Sequence, residues 1–374
     1  MVKRKGAVED MVNPWEGRRV FLTGHTGFKG GWLALWLANR GAKVRGYSLD
    51  PISEPNLFSS TSLGDVLEDV RGDIRDFDSV HRAMSEFSPE VVFHLAAQPL
   101  VRSSYADPLG TYATNVMGTA HVLEAVRKTE GVRAVVVVTT DKCYSNQEWI
   151  WPYRETDALG GHDPYSSSKA SAEIICAAYR SSFFPPDRWP EHGVGLATAR
   201  AGNVIGGGDW SEDRLIPDLI RGFQAKRSVP IRSPKSIRPW QHVLESLHGY
   251  MLLAERLLAR DRKAASSFNF GPDADGAWEV CRVADTVAGM WGEGANWIGD
   301  AVPALHEAQT LKLDSSKARA DLGWSPKLRT ETALDWSLSW YRGWQRGENM
   351  QALSRFQILA YERLAGYAGL GLKH

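Results

Sequence analysis

Cysteine is scarce in this sequence, and its few copies are far apart. Among 374 residues there are three cysteines, Cys143, Cys176 and Cys281, and no two of them form a CxxC pair. We therefore expect neither a disulfide framework nor a zinc site, and we assign no metal ligand.

The sequence also lacks an excess of charge and long apolar runs. Lys and Arg together number 44, as do Asp and Glu, so composition gives no reason to expect a nucleic acid as partner. No stretch of about 18 apolar residues is present, which argues against a membrane span. Residues 1–17 are basic but lack the apolar core of a secretory signal. The sequence predicts a cytoplasmic protein.

Short apolar strands alternate with helical segments through the first half of the chain. Arg19–Thr23 and Lys43–Asp50 read as strands that flank a glycine-rich turn and a helix. Val91–Leu95 and Ala134–Thr140 are apolar runs rich in valine, which are typical of central parallel strands covered on both faces. The pattern predicts an α/β fold with a Rossmann-type, doubly wound parallel sheet.

The alternation loosens after about residue 202, where glycine, proline and tryptophan become frequent. We expect residues 1–17 to form a flexible tail and residues 18–202 to form an NAD-binding Rossmann domain. Residues 203–374 would form mainly a smaller C-terminal substrate-binding lobe, interleaved with the last Rossmann strands. The apolar segment Phe356–Leu370 predicts a docking helix.

Three glycines, Gly24, Gly27 and Gly30, lie between the first predicted strand and helix with the spacing GxxGxxG. This context favours a dinucleotide site over an ordinary glycine turn, because the backbone can approach a diphosphate at the N-terminus of the helix. Asp50 comes at the end of the next strand, where an acid binds the adenosine ribose and repels a 2′-phosphate. It predicts NAD rather than NADP, unless it is a solvated loop residue. Lys29 is unusual in such a loop; it could reach the cofactor diphosphate, a substrate phosphate or solvent.

Two further segments carry acid–base chemistry. Tyr165 and Lys169 are four residues apart at the start of a predicted helix, so they share one face. An ammonium there is expected to lower the phenol pKa and to make Tyr165 a general base. Thr140, Asp141 and Lys142 follow a valine-rich strand. At the carboxyl end of a central strand they form an acid–base set, or else a turn with exposed charges.

Residues 18–334 resemble the extended short-chain dehydrogenase/reductases, through these motifs together with His94–Ala97 and Asn115. Within that family the sequence is most similar to the nucleotide-sugar 4,6-dehydratases. The segments GHTGFKG, TTDKCY and HLAAQPLVRSSY indicate a branch whose substrate is CDP-glucose. The resemblance also implies NAD as cofactor, a homodimer built on the helices around 112–128 and 164–183, and a place in deoxysugar synthesis for surface polysaccharide such as O-antigen.

The resemblance implies a role for each residue of the acid–base set. Tyr165 would deprotonate the sugar 4-hydroxyl while Thr140 donates a hydrogen bond to that oxygen. Lys142 would remove the C5 proton, Asp141 would protonate the departing 6-hydroxyl, and C6 would be reduced by the recycled cofactor. Lys169 would assist Tyr165.

The binding residues are predicted partly from the motifs and partly from the resemblance. Cofactor contacts are assigned to Gly24, His25, Thr26, Gly27, Phe28, Lys29, Gly30, Asp50, Asp73, Ile74, Leu95, Ala96, Ala97, Asn115, Tyr165 and Lys169. Substrate contacts are assigned to Gln98, Arg102, Asn203, Arg214 and Arg238.

Three other functions fit parts of the pattern. A nucleotide-sugar 4-epimerase shares the glycine loop, Tyr165 and Lys169, but it has no need of the acid and base at Asp141 and Lys142. A dehydratase of another nucleotide hexose is also compatible with the fold, but by resemblance the dTDP- and GDP-sugar enzymes usually carry Glu where this sequence has Lys142. No residue identified here reads the nucleotide base directly. A non-catalytic dinucleotide sensor could use the same fold.

Overall fold

The computed structural model describes residues 13–292, 294–299 and 309–367. Its strands, in chain order, are β1 (Arg19–Thr23), β2 (Lys43–Ser48), β3 (Glu68–Arg71), β4 (Val91–His94), β5 (Ala134–Val138), β6 (Gly195–Ala201), β7 (Asn203–Ile205), β8 (Val229–Ile231), β9 (Ile237–His242), β10 (Ser267–Phe270), β11 (Ala277–Glu279) and β12 (Trp297–Gly299). Seven of them form one parallel sheet in the order β3-β2-β1-β4-β5-β6-β10.

The helices cover both faces of this sheet and extend beyond it. They are α1 (Phe28–Asn39), α2 (Leu57–Ser60), α3 (Phe77–Phe87), α4 (Val101–Ala106), α5 (Pro108–Tyr112), α6 (Gly118–Lys128), α7 (Pro164–Ser182), α8 (Trp189–His192), α9 (Leu215–Gln224), α10 (Val243–Leu258), α11 (Val280–Trp291), α12 (Thr330–Gln345) and α13 (Met350–Ala365). A π-helical turn at Ala113–Met117 joins α5 to α6.

The central strands are buried on both faces, which explains their continuous apolar composition. Every residue of β4 and β5 is buried. Their side chains divide between two apolar clusters, one shared with α1 and α10 and the other with α3, α6 and α7. Since apolar area contributes about 25 cal/mol per Å² removed from water, burial of both faces of these strands stabilises the fold. The predicted doubly wound α/β fold is confirmed.

The order of the sheet fixes where a ligand can bind. The chain proceeds outward from β1 to β2 and β3, then returns to β4 on the other side of β1. The two directions of winding leave a crevice beyond the carboxyl ends of β1 and β4, where open α/β sheets bind their ligands.

The chain after residue 202 forms small sheets and also returns to the main one. Strands β11, β9 and β7 form a three-stranded sheet, and β12 pairs with β8. In contrast, β10 pairs with β6 at the edge of the main sheet, and α10 packs against β5 and β6. The lobe beside the crevice is therefore built by segments that alternate with Rossmann elements.

The two ends of the described chain are packed against the core. Trp15 is fully buried and its indole N–H donates to Glu255 Oε1 at 2.7 Å, so part of the segment predicted as a flexible tail packs against the core. Residues 1–12 of that tail lie outside the described residues, as does the end of the predicted helix at Phe356–Leu370. Helix α13 covers most of that segment and packs on α1 and α12. Among the described helices, none is long and apolar enough to cross a membrane.

Candidate active site

A cleft of about 1060 Å³ opens at the carboxyl edge of the main sheet. One wall is formed by the glycine loop and the ends of β2 and β4. The floor contains the turn after β5 and the first turn of α7, and the opposite wall is formed by residues 201–218 and 229–240. The cleft thus joins the sheet to the lobe of small strands.

The glycine loop is tightly packed between the sheet and α1. Gly24 has φ +81°, and a Cβ on it would lie 2.7 Å from Ala96 N. A Cβ on Gly30 would clash with the carbonyl oxygen of Gly24. Gly27 caps α1 without a side-chain hydrogen bond, so the N–H groups of the first turn keep their capacity to bind an anion. The loop fits the diphosphate of a dinucleotide.

Other predicted cofactor residues line the same end of the cleft. Asp50 follows β2 with its side chain 90% exposed and 3.6 Å from Arg71, so its carboxylate can accept hydrogen bonds from a ribose. Asp73 also lines the cleft, where it forms an ion pair with Arg75 at 2.6 Å. The predicted cofactor residues that border this end of the cleft are Gly24, Thr26, Gly27, Phe28, Lys29, Gly30, Asp50, Asp73, Ile74, Leu95, Ala96 and Ala97.

The side chains of His25 and Asn115 lie behind the cleft wall, contrary to the prediction that they contact the cofactor. His25 is fully buried, with Nε2 2.8 Å from Asp69 Oδ1, and it packs where only a glycine, Gly46, leaves room. Asn115 accepts from the N–H of Gln98 at 2.8 Å and donates to Ser168 Oγ at 2.9 Å. Both brace the loops that carry the lining residues, because His25 Nε2 and the Asn115 amide are used inside the fold; His25 Nδ1 is buried without a hydrogen-bond partner among the described residues.

Thr140 and Asp141 lie at the end of β5, in the floor of the cleft. The Thr140 hydroxyl donates to Asp141 Oδ1 at 3.0 Å, and the following residues form a 3₁₀ turn that presents Lys142 to the cleft. Asp141 Oδ2 is buried and has no hydrogen-bond partner among the described residues. Burial raises the pKa of Asp141, against the opposing effect of Lys142. Such a carboxyl group is suited to hold and donate a proton.

Tyr165 and Lys169 extend into the floor of the cleft from the first turns of α7. They line the cleft together with Thr140, Asp141 and Lys142. Burial raises the pKa of Tyr165 to about 12, although a hydrogen bond with Thr140 opposes this. Burial also lowers the pKa of Lys169 to about 8. The expected lowering of the Tyr165 pKa is therefore outweighed by desolvation.

Lys29 faces the cleft rather than open solvent, which removes one of its three predicted roles. Burial lowers its pKa to about 7, and the nearby charge of Arg214 adds to this, whereas Asp141 opposes it. Lys29 therefore lies within electrostatic range of both the acid–base set and the opposite wall.

The five predicted substrate residues all line the cleft: Gln98, Arg102, Asn203, Arg214 and Arg238. Gln98 is held by its own loop, since it donates to Thr111 Oγ1 at 2.9 Å and accepts from Leu100 N at 2.5 Å. Arg238 donates to the carbonyl oxygens of Ile237 and Gln309. These contacts fix where the side chains stand in the wall.

Comparison with known proteins identifies the family. The sequence profile described as "NAD dependent epimerase/dehydratase family" matches residues 20–270. The chain belongs to this family. Its members are by description NAD-dependent, in agreement with the fit of the glycine loop to a dinucleotide.

Similar proteins lie on both the dehydratase and the epimerase side of the epimerase/dehydratase family. The chain is 52% identical over 349 residues to the CDP-glucose 4,6-dehydratase of Salmonella typhimurium, covering 93% of this chain and 97% of that protein. The dTDP-glucose 4,6-dehydratase of Bacillus anthracis in complex with NAD shares the fold with a TM-score of 0.73, at 20% identity over 90% of this chain and 100% of that chain. The UDP-glucose 4-epimerase of Thermotoga maritima with UDP-glucose gives a TM-score of 0.73, at 23% identity over 87% and 99%.

One group of residues that supports this epimerase/dehydratase site was missed from the sequence. Beneath Thr139, the carboxylate of Glu173 is buried and accepts from Arg200 and from Thr198, each at 2.8 Å, as well as from Thr139. Glu173 is eight residues after Tyr165 and four after Lys169, so it continues the same face of α7. That helical spacing is the signal that could have identified it.

Proposed function

We propose that the protein is a CDP-glucose 4,6-dehydratase, which converts CDP-D-glucose to CDP-4-keto-6-deoxy-D-glucose with NAD as a recycled cofactor. The observation that carries this proposal is the presence of a buried acid, Asp141, and an amine, Lys142, in the same cleft as Thr140 and Tyr165. The high identity to the Salmonella enzyme over almost the whole of both chains supports the choice of nucleotide.

The proposed cofactor site uses the glycine loop for the diphosphate and Asp50 for the adenosine ribose. A bound nicotinamide supplies reversible hydride acceptance, which allows C4 of the sugar to be oxidised first and C6 to be reduced last. The main-chain N–H groups at the start of α1 hold the diphosphate, and Ile74 and Ala97 offer apolar surface for the ring systems.

The residues on the floor of the cleft would move the protons. Tyr165 accepts the proton of the 4-hydroxyl, with Thr140 donating a hydrogen bond to the same oxygen. Lys169 lies in the cleft floor, with Nζ 3.5 Å from Val138 O, and its positive charge favours the phenolate form of Tyr165.

Elimination of water needs a second acid and a second base, which Tyr165 cannot supply at the same time. Lys142, which must be a neutral amine at this step, takes the C5 proton, which the 4-keto group has made acidic. Asp141 gives a proton to the departing 6-hydroxyl, and its raised pKa keeps that proton available. A 4-epimerase has no use for this pair, so the pair favours a dehydratase.

The direct test is to incubate the purified protein with CDP-glucose and NAD and to analyse the sugar by mass spectrometry and NMR. We expect the loss of one water and a ketone at C4. A product of unchanged mass with inverted C4 would instead identify an epimerase. Turnover of dTDP- or GDP-glucose alone would refute cytidine as the nucleoside of the substrate. Absence of turnover with every nucleotide hexose would indicate a non-catalytic dinucleotide sensor.

We also propose a homodimer, formed by a four-helix bundle in which two copies of α7 pack with the α5–α6 segments. Apolar side chains stand exposed along these helices, including Leu109 at 80%, Met117 at 51% and Ile174 at 58%. Exposed apolar side chains on adjoining helices mark a surface that a partner covers. We place the protein in the cytoplasm, because its three scattered cysteines suit a reducing compartment. By its resemblance to deoxysugar enzymes, we place it in the synthesis of surface polysaccharide such as O-antigen.

Ile174→Glu is expected to convert this dimer to a monomer, because it puts a charge into the apolar interface. Sedimentation velocity measures the change as a halving of the mass. Ile298→Glu is the matched control, since Ile298 is exposed to a similar extent, 55%, but lies on β12 in the small lobe. A wild-type protein that sediments as a monomer would refute the bundle.

A further inference from the structure

An ion-pair cluster spans the cleft at its substrate side. Asp213 Oδ1 accepts from Arg102 at 3.1 Å and from Arg232 at 3.0 Å. Arg102 belongs to α4, which follows the main-sheet strand β4, whereas Asp213 and Arg232 belong to the opposite wall, and all three line the cleft. The two contacts leave Asp213 Oδ2 and the remaining N–H groups of Arg232 outside the ion pairs.

The part of the substrate that this cluster contacts follows from the positions already assigned to the cofactor and the sugar. The glycine loop takes the cofactor, and Thr140 and Tyr165 fix the sugar. The charge of Arg214 affects the pKa of Tyr165, and the charge of Arg238 affects the pKa of Asp141, so each arginine lies near the sugar site. Both arginines are therefore placed to bind the diphosphate next to the sugar. Arg232 follows β8, in the part of the opposite wall that remains for the nucleoside.

The chemistry of the cluster does not suit a phosphate. A carboxylate at the centre of two guanidinium groups repels a phosphate and cancels much of their positive charge. The Asp213–Arg232 pair offers a hydrogen-bond acceptor at one end and guanidinium donors beside it, which complements a planar edge with one donor at its end followed by two acceptors.

Cytosine has that order of groups, whereas in thymine and uracil the N3–H donor lies between two acceptors, O4 and O2. The edge of cytosine presents the N4 amino donor next to the N3 and O2 acceptors, and a carboxylate commonly accepts from N4. In thymine and uracil, O4 is an acceptor and N3 carries a hydrogen. A carboxylate opposite O4 and a guanidinium opposite N3–H would both be mismatched.

We propose that Asp213 and Arg232 read the base of the substrate, with Asp213 accepting from N4 of cytosine and Arg232 donating to N3 and O2. This rests on the proposed function, which supplies a cytidine nucleotide as ligand. The pair would select the cytidine nucleotide by rejecting the keto edge of uracil as well as by binding the amino edge of cytosine.

The test is calorimetric binding of CDP and UDP to the wild-type protein and to Asp213→Asn and Arg232→Gln, which avoids any dependence on turnover. We expect wild type to bind CDP more tightly than UDP by roughly 5- to 150-fold, the discrimination of one good bidentate pair. Asn can donate to O4, so Asp213→Asn should bring the ratio close to one and improve UDP binding. Arg232→Gln should lower the affinity for CDP more than that for UDP.

Matched controls are Glu212→Gln and Lys235→Gln, which remove neighbouring charges from exposed side chains. Arg232→Lys keeps the positive charge without the forked guanidinium, and it replaces Arg232→Gln in the test if that variant does not fold. It should also lose the preference for CDP over UDP. Equal wild-type affinity for CDP and UDP, or an equal loss for both nucleotides in the variants, would overturn the inference. Preference for CDP in a protein that does not turn over CDP-glucose would instead contradict the proposed function and leave base reading intact.

Discussion

Replacement of Lys142 by Ala is expected to lower the rate of dehydration by roughly 10²- to 10⁴-fold, the usual contribution of a general acid or base. Tyr165 and Thr140 keep their places in this variant, because they are held by α7 and β5 rather than by Lys142. The sugar recovered after quenching should therefore carry a ketone at C4, while its C5 hydrogen does not exchange with deuterium from the solvent.

Asp141→Asn should block a different step of the same reaction. The amide cannot donate a proton to the departing 6-hydroxyl, so water loss stops although deuterium still enters at C5. Lys43→Ala serves as control for Lys142→Ala, because Lys43 is exposed at the opposite end of β2 from the cleft. Dehydration at the wild-type rate by Lys142→Ala, or unchanged exchange at C5, would show that another group is the base.

The sequence predicted the main sheet well where burial imposes a pattern. The strands that became β1, β4 and β5 are mainly apolar, apart from Arg19, Thr23 and His94, because helices cover both faces of the sheet. The helix predicted over 164–183 ends within one residue of the observed helix end. β3 was missed because it is a polar edge strand, Glu68–Arg71, with a mostly solvated surface. The three-residue strands of the small lobe, such as β7 and β8, are too short to show a period.

The predicted motifs lie together in the structure, but the surroundings of single residues could not be predicted. The glycine loop, the turn at Thr140 and the start of α7 meet in one cleft as the order of strands requires. The sequence could not show that His25 and Asn115 turn away from it, since a polar residue in a motif can serve the ligand or the fold. Nor could it show that burial raises the pKa of Tyr165, because desolvation depends on the packing of distant segments.

Glu173→Gln is expected to destabilise the folded protein by about 3–5 kcal/mol, the cost of leaving one member of a buried ion pair without its partner. Arg200 and Glu173 are nearly inaccessible, with side chains 3% and 1% exposed, and their closest atoms are 2.8 Å apart. The Gln side chain would keep some hydrogen bonds but would leave the guanidinium charge of Arg200 unbalanced. Equilibrium unfolding in urea measures the loss. Glu191→Gln, in an exposed pair with Arg188, should leave the unfolding free energy unchanged within error.

The buried pair of Glu173 and Arg200 also predicts how the stability of the fold depends on pH. Burial acts to raise the pKa of Glu173, but the Arg200 charge and the hydrogen bonds from Arg200, Thr139 and Thr198 outweigh it and hold that pKa below its ordinary value of 4.5. A group with a lowered pKa in the folded state contributes fully above its unfolded pKa, and the contribution is lost as the pH falls through the folded value. Wild type should therefore lose stability below about pH 4.5 more steeply than Glu173→Gln, and the two unfolding curves should converge in acid. Parallel curves would mean that Glu173 is not ionised in the folded protein, and the support beneath Thr139 would then be a network of neutral hydrogen bonds.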